Sequence, residues 1–578
     1  MRRLLLLAIL THSLSAQPDR EIRQAITRAL PPLEHSTATF VAKRACVSCH
    51  HNILSILMFQ MARERGVSFD PAVLSGVEAK TLRPLRGPAA FDDAVQAVTL
   101  NDPTPDDSYL LMAAHASGLA PNLTTGVYAR RLVQWQREGH WVTSDFRPPH
   151  SSSVFTATAT AVRAISYYGH DEACIGRAQQ WLIRARPVST EDASFRLMGL
   201  VWAGASANEI DSARGDLVKM SKPSGGWPEL PGYPPDAYST GESLFALHEA
   251  GMPVTDRAWR AGLSFLISTQ AADGTWRVRT RMVSPAEVSP EYFPTGFPYE
   301  KDEFLSYAGS SWAVMALLSA LPKTTPQVDP VIESSEIAPS WARAAIFGTP
   351  QELTALLDKG LDPNSKTDRG TTLLMMVAAD AEKVRPLLAR GVVASYGALT
   401  IAAASRGTAQ SIKLLLDAGA SVNPADGVRA KNTPLLLASM TGDPENVKLL
   451  LAHGADPSAA LAQAVTFGYP DIVRALIAGG APAKLTDGSG INLLHWAAIA
   501  NRPEVIPALV EAGVSINAQD DSGFTPLMYA ATIDFGDTAS LRALLKGGAD
   551  PNVRNGEGRT AAKQARQYRH VNLEAVLK

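Results

Sequence analysis

Residues 432–458 read NTPLLLASMTGDPENVKLLLAHGADPS, and this stretch decides how the C-terminal part of the chain is built. Thr433-Pro434 is a helix start. The threonine hydroxyl caps the first turn, and proline's missing N–H falls where it would be unpaired anyway. A short helix carrying Leu435 and its neighbours is followed by a second one ending in Leu449-Leu450-Leu451. Gly454 then suits the left-handed position that terminates a helix, and a polar turn follows. Such a unit is too small to bury its own leucines, so it must stack on copies of itself.

The copies are present. The ending recurs as ALLDKGLDPN (355–364), KLLLDAGASVN (413–423), ALIAGGAPA (475–483), ALVEAGVSIN (508–517) and ALLKGGADPN (543–552). The opening returns as INLLHWAAIANR from Ile491 and FTPLMYAATIDF from Phe524, and Gly419, Gly513 and Gly548 repeat the place of Gly454. The pattern resembles the ankyrin TPLHxA repeat, through Thr433-Pro434-Leu435, Leu494-His495 and Thr525-Pro526-Leu527. The resemblance implies a solenoid over residues 337–578 of about eight units, each near ~33 residues. Its first (Trp341 to Gly360) and last (Thr560 to Lys578) units are irregular, as caps should be. It also implies a protein partner bound through a concave face and turn tips. His495 occupies the motif's own histidine position, where a structural hydrogen bond is expected rather than catalysis.

Residues 101–322 repeat more loosely. QREGHW (136–141), KPSGGW (222–227) and QAADGTW (270–276) each follow an amphipathic helix and precede a helix rich in small residues, such as SSSVFTATATAVRAISYYG, AYSTGESLFALHEAG or SYAGSSWAVMALLSALP. DDSYLLMAAHASGL and EDASFRLMGLVWAGA read as two further small-residue helices. Alternation of the two kinds predicts an inner and an outer layer, with Trp141, Trp227 and Trp276 wedging the turns. The segment resembles the α/α toroids of squalene cyclases and prenyltransferases, whose QW repeats read like 270–276. The resemblance implies a central cavity able to hold a small molecule. The cyclase acid motif Asp-x-Asp-Asp-Thr has no match; Asp106-Asp107-Ser108 comes nearest and reads as an acidic helix start. The prenyltransferase zinc triad also lacks a match, and Cys174 reads as a small buried hydrophobe.

Residues 17–100 contain the one chemical motif, RACVSCHHNILSILMFQMARERG (44–66). Cys46-Val47-Ser48-Cys49-His50 has the Cys-x-x-Cys-His form of covalent haem attachment: two thiols add to the two vinyl groups, and the adjacent histidine ligates iron. Three rivals remain. A Cys46–Cys49 disulfide or redox dithiol needs only the two cysteines, although no thioredoxin-like unit surrounds them. A structural zinc site needs four ligands, and no second cysteine pair exists. The motif also occurs by chance. Met58 and Met61 lie on the helix that follows His50 and so are expected to pack in the core rather than ligate from the opposite face. Met112, His115, His140 and His150 lie far enough along the chain to fold back, and His51 points elsewhere. The sequence names no distal ligand. The combination of this motif with a toroid is similar to haem-motif, squalene-cyclase-like proteins of soil bacteria.

Bulk properties set the remaining expectations. The 578 residues hold 54 Lys+Arg against 56 Asp+Glu, so no basic face for nucleic acid is expected. MRRLLLLAILTHSLSA (1–16) has the basic end, short apolar run and small residues of a secretory signal, too short to span a bilayer. The reading is therefore an all-α exported chain: signal peptide 1–16, haem segment 17–100, toroid 101–322, linker 323–336 and ankyrin solenoid 337–578. Its expected function is electron transfer or redox sensing by one covalent haem c, held by Cys46, Cys49 and His50, with a protein docked on the repeats. An enzyme acting on a lipid-like or carbohydrate substrate in the toroid is one alternative. A binding scaffold without haem is the other.

Overall fold

The computed structural model describes residues 2–45, 47–96, 102–150, 152–281, 294–324, 337–425 and 432–578; the side chains of 2–18, Cys49 and Pro103 lie outside the described set. These residues are helical throughout, with isolated bridges and no strand among them. None of the described helices is long and apolar enough to cross a membrane.

The first half is a closed ring of two layers. The inner layer runs through α2 (Ser55–Glu64), entered by a π-helical turn at Cys49–Leu54, then α5 (Pro103–Ala116), α7 (Val154–Tyr168), α9 (Thr190–Trp202), α11 (Ala237–Glu249) and α13 (Glu303–Ser319). Each packs on the next, and α13 returns onto α2 and its π turn to close the circle. Outside lie α1 (Arg2–Lys43), α3 (Pro71–Thr81), α4 (Ala90–Gln96), α6 (Leu123–Trp135), α8 (Glu172–Arg184), α10 (Ala207–Lys219) and α12 (Arg257–Thr269). The inner helices approach closely because their contact faces are Ala, Ser, Thr and Gly. At Gly241 a Cβ would stand 2.5 Å from the backbone of Trp312 and Ala313, so α11 meets α13 main chain to main chain.

The three tryptophans repeat one construction. Each indole N–H donates to a carbonyl near the end of the preceding outer helix: Trp141 to Leu132, Trp227 to Leu217 and Trp276 to Leu266, at 2.7–2.8 Å. Each backbone N–H donates to a hydroxyl of an inner helix, on Thr158, Thr240 and Ser310 respectively. All three side chains are fully buried. One residue thus ties an outer helix end to the inner helix after it.

The ring does not begin at residue 101. Segment 17–100, expected as a unit preceding the toroid, supplies part of its wall. The Tyr307 hydroxyl of α13 meets Thr37 Oγ1 and Ser55 Oγ at 2.6 Å each, and Gln270 donates to the Ala25 carbonyl. Five inner helices read from the sequence leave a gap that α2 fills.

The second half is a stack of eight helix pairs among the described residues, from Ala342–Phe347 with Pro350–Asp358 to Ala561–Tyr568 with Val571–Val576. Thr433 and Thr525 accept the capping hydrogen bonds of Leu436 and Met528, each followed by proline. Gly419, Gly454, Gly513 and Gly548 have φ of +77 to +96°. His495 bonds through both nitrogens, to Asn492 (2.9 Å) and to the Phe524 carbonyl (3.1 Å), which is a structural role.

The stack lies against the ring through the turns between its paired helices. Trp135 Nε1 donates to the Ala404 carbonyl, Tyr233 Oη to Asp534, and Arg502 to the Thr143 carbonyl. Residues 325–336 of the expected linker lie outside the described set.

Candidate cofactor site at the centre of the ring

Ser48 starts the local structure around the motif. Its hydroxyl accepts from the His51 backbone (3.1 Å), and its carbonyl accepts from both Asn52 and Ile53, which opens the wide π turn. Asn52 closes the loop by accepting from the Ser48 backbone (2.9 Å) and donating to Thr81 of α3. A π turn is a common device for re-aiming side chains at functional sites. Here it sends His50 and His51 in different directions.

His51 faces a structural network. Its ring stacks between Phe40 (4.7 Å) and Tyr307 (4.0 Å), and its Nε2 pairs with Ser36 Oγ at 3.1 Å. Burial pushes its pKa down to about 3, so it stays neutral. His50 faces His150, with ring centroids 5.7 Å apart and planes at 87°. Phe304 packs at 5.0 Å from His50. The Nε2 atoms of both His50 and His150 are buried without a hydrogen-bond partner. Burial, with His51, His150 and Arg147 adding, holds His50 well below the usual imidazole range, and burial takes His150 to about 4. Both rings are neutral and keep a lone pair.

Cys46 lies outside the described residues, as does the Cys49 side chain. What is described fits a haem tether. The histidine after the second cysteine is neutral and half-buried, with a buried Nε2 that has no partner, and an iron ligand needs such a free lone pair. Of the residues far along the chain weighed as distal ligands, His150 is brought against His50. Met58 is buried in the core and Met61 packs against it; Met112 is a half-buried core residue; His115 stacks on Tyr167; His140 stacks on Trp181.

Beside the histidines the ring encloses a cluster of acids that the sequence did not single out. Glu191 accepts from Thr156 Oγ1 (2.6 Å) and Tyr238 Oη (2.8 Å). Burial pushes Glu191 up to about 8; burial and the facing Glu191 hold Glu242 well above the carboxylate range. Burial and Glu229 likewise raise Asp236, which caps α11. Arg281 offsets the charge. Its Nε lies 2.5 Å from Glu229, and its guanidinium also donates to the Asp534 carbonyl of the stack at 2.6 Å. The acidic helix start expected at Asp106 and Asp107 divides: Asp106 is exposed on the first turn of α5, while Asp107 turns inward onto Arg131 through two bonds of 2.6 and 2.8 Å. Cys174 is fully buried, as a small hydrophobe should be.

Comparison with known proteins places the C-terminal repeats. A family model described as ankyrin repeats (3 copies) matches residues 387–460 and 461–555. The chain is also 31% identical over 147 residues to the ankyrin repeat, SAM and basic leucine zipper domain-containing protein 1 of Dasypus novemcinctus. That alignment covers 24% of this chain and 30% of the relative, so the chain spans under a third of that relative's length. Residues 387–555 are ankyrin repeats.

Proposed function

We propose that the chain is an exported mono-haem c-type protein for electron transfer or redox sensing, with its haem set in an α/α toroid and its ankyrin repeats holding a protein partner. The observation that carries this reading is His50. It completes a Cys-x-x-Cys-His motif and presents a half-buried, neutral imidazole whose buried Nε2 has no partner within the ring. Cys46 and Cys49 would hold the porphyrin and His50 the iron; bound haem supplies one-electron redox chemistry. The rest falls to the chain: Phe40 and Phe304 exclude water, and the Ser48–Asn52 loop orients the π turn.

The closed two-layer ring supports the toroid reading, and the leader-like residues 1–16 support export, the compartment where covalent haem attachment takes place. The turns at Ala404, Arg502 and Asp534 of the ankyrin stack are taken by the ring itself. The polar turn tips are then the surface left for a partner.

The test is absorption of the exported protein, produced in a host with haem-c maturation machinery. A reduced α band that survives acid–acetone extraction establishes covalent haem. A colourless protein refutes the reading and leaves Cys46 and Cys49 as a dithiol or disulfide in a binding scaffold.

The acid cluster favours a second reading, an enzyme acting inside the toroid on a lipid-like or carbohydrate substrate. Glu242, held protonated by burial, is the proton donor such chemistry would use. Turnover of a candidate substrate that is abolished in Glu242→Gln, in a protein lacking haem, would favour it.

A further inference from the structure

We infer that His150 is the second axial ligand of the iron held by His50, giving a six-coordinate, bis-imidazole haem; this rests on the haem reading above. Three independent observations point there.

The first is placement. Metal–imidazole bonds of about 2 Å on both sides set two ring centroids about 6 Å apart, and the His50 and His150 centroids stand 5.7 Å apart. Their planes cross at 87°, and axial ligation leaves that angle free, since each ring turns about its own metal–nitrogen bond.

The second is the nitrogen left over. His150 Nδ1 lies 3.1 Å from Tyr238 Oη, and that hydroxyl gives its proton to Glu191 Oε2 at 2.8 Å. The tyrosine oxygen is therefore the acceptor toward His150, so Nδ1 carries the ring proton and Nε2 the lone pair. A histidine whose far nitrogen donates into a tyrosine–carboxylate chain is oriented as metal-ligating histidines are. Buried nitrogens without a partner also occur on His51 and His140; what sets His150 apart is that its ring stands 5.7 Å from a second imidazole, His50, whose Nε2 is unpaired as well, and each such buried polar atom costs about 1–3 kcal/mol.

The third is support. His150 sits on an irregular stretch whose preceding residues, Pro148 and Pro149, have fixed φ. The same stretch is held from outside the ring by the ankyrin stack, where Arg502 donates to the Thr143 carbonyl and Phe146 packs edge-on against Trp496 at 6.3 Å. A ligand carried on so short a span of chain needs such bracing to keep its place.

The experiment uses the full exported chain, matured with haem c, as wild type, His150→Ala and His150→Met. Covalent haem is first counted in each by pyridine haemochrome. The wild type should give a low-spin ferric EPR spectrum with the near-infrared charge-transfer band of bis-imidazole ligation. His150→Ala should keep its covalent haem but turn high-spin, and added imidazole should restore the low-spin spectrum. His150→Met should show the thioether–iron band and a raised reduction potential. A wild type that is high-spin, or that shows thioether ligation, overturns the assignment, as does a His150→Ala protein that stays low-spin without added imidazole. Should both variants fail to fold, the wild-type spectra alone decide. Absence of covalent haem from the wild type is a different failure, that of the haem reading, and takes this inference with it.

Discussion

Replacing Arg281 by methionine tests whether the charge at the heart of the ring is balanced as described. The guanidinium and the Glu229 carboxylate are each 4% exposed, and no other cation is paired to Glu229 among the described residues. With charge centres roughly 3.5 Å apart, their attraction at an effective dielectric of about 20 is about 5 kcal/mol. Breaking one side of such a buried pair costs about 3–5 kcal/mol, because the survivor is stranded. Glu229 has one escape, which is to take up a proton. Its carboxyl is already raised by burial, and losing Arg281 raises it further. A carboxyl raised in the folded state stabilises most below its unfolded pKa and loses that contribution as pH rises. The Arg281→Met defect should therefore be smaller near about pH 5 than near about pH 8. Thermal unfolding by circular dichroism at both pH values reads it. A loss of about 3–5 kcal/mol corresponds to a drop of about 6–20 °C for a large domain. Adding Glu229→Gln should recover most of the loss. A change under about 1 kcal/mol, or one identical at both pH values, would refute the buried-pair argument.

Gly241→Ala should push α11 from α13, since its Cβ would meet backbone at 2.5 Å; the expected loss is about 1–3 kcal/mol by urea unfolding, and an unchanged midpoint would mean the helices are not in main-chain contact. Trp227→Ala removes a fully buried side chain and its bond to Leu217, for about 3–5 kcal/mol in the same assay; a negligible shift would contradict the tie between outer and inner helices. Glu242→Gln removes a carboxyl that the fold holds protonated. Wild-type stability should fall as pH rises above about 4.5 toward the raised folded pKa, and the variant's curve should be flatter, so that it gains on wild type with pH; parallel curves from about pH 5 to about pH 8 would rule this out. His51→Gln keeps a donor toward Ser36 and should leave the haem absorption of a matured protein unchanged, because His51 stacks between Phe40 and Tyr307 instead of facing His150; a change in ligation bands would move it into the iron site.

How far the sequence could be read depended on the range of the interaction concerned. The ankyrin units are legible because their signals are local. Thr433 caps the helix it begins, Gly454 ends the one it follows, and no distant residue is needed to see either. The tryptophan turns are legible for the same reason, since Trp227 reaches back ten residues to Leu217 and forward thirteen to Thr240. Ring closure is not local. Ser55 and Tyr307 meet across 252 positions, and nothing in SILMFQMARE marks that helix as the sixth inner wall. The acid pair failed differently. Glu191-Asp192 opens α9 as acidic residues commonly open helices, and Asp192 does form the capping box with Ser189. Its neighbour points the other way, into the ring. The chain sequence is the same for a cap and for a buried proton donor; only the rotation of the helix against α7 and α11 separates them.

His150 shows the same limit at the site itself. In the sequence it is one of several histidines beyond the motif, ending a Pro-Pro-His run with no ligand signature around it. What distinguishes it is a set of relations, each to a different element: its ring to His50 at the π turn, its Nδ1 to Tyr238 on α11, and the stretch that carries it to Arg502 and Trp496 of the repeats. No spacing rule links positions 50, 150, 238 and 502, because they come together only once the ring has closed and the stack has docked. The motif could therefore announce one candidate iron ligand, since Cys46, Cys49 and His50 fall within five consecutive positions of the sequence. The second candidate had to wait for the fold, and it is there that the ankyrin repeats and the candidate haem site first touch the same few residues.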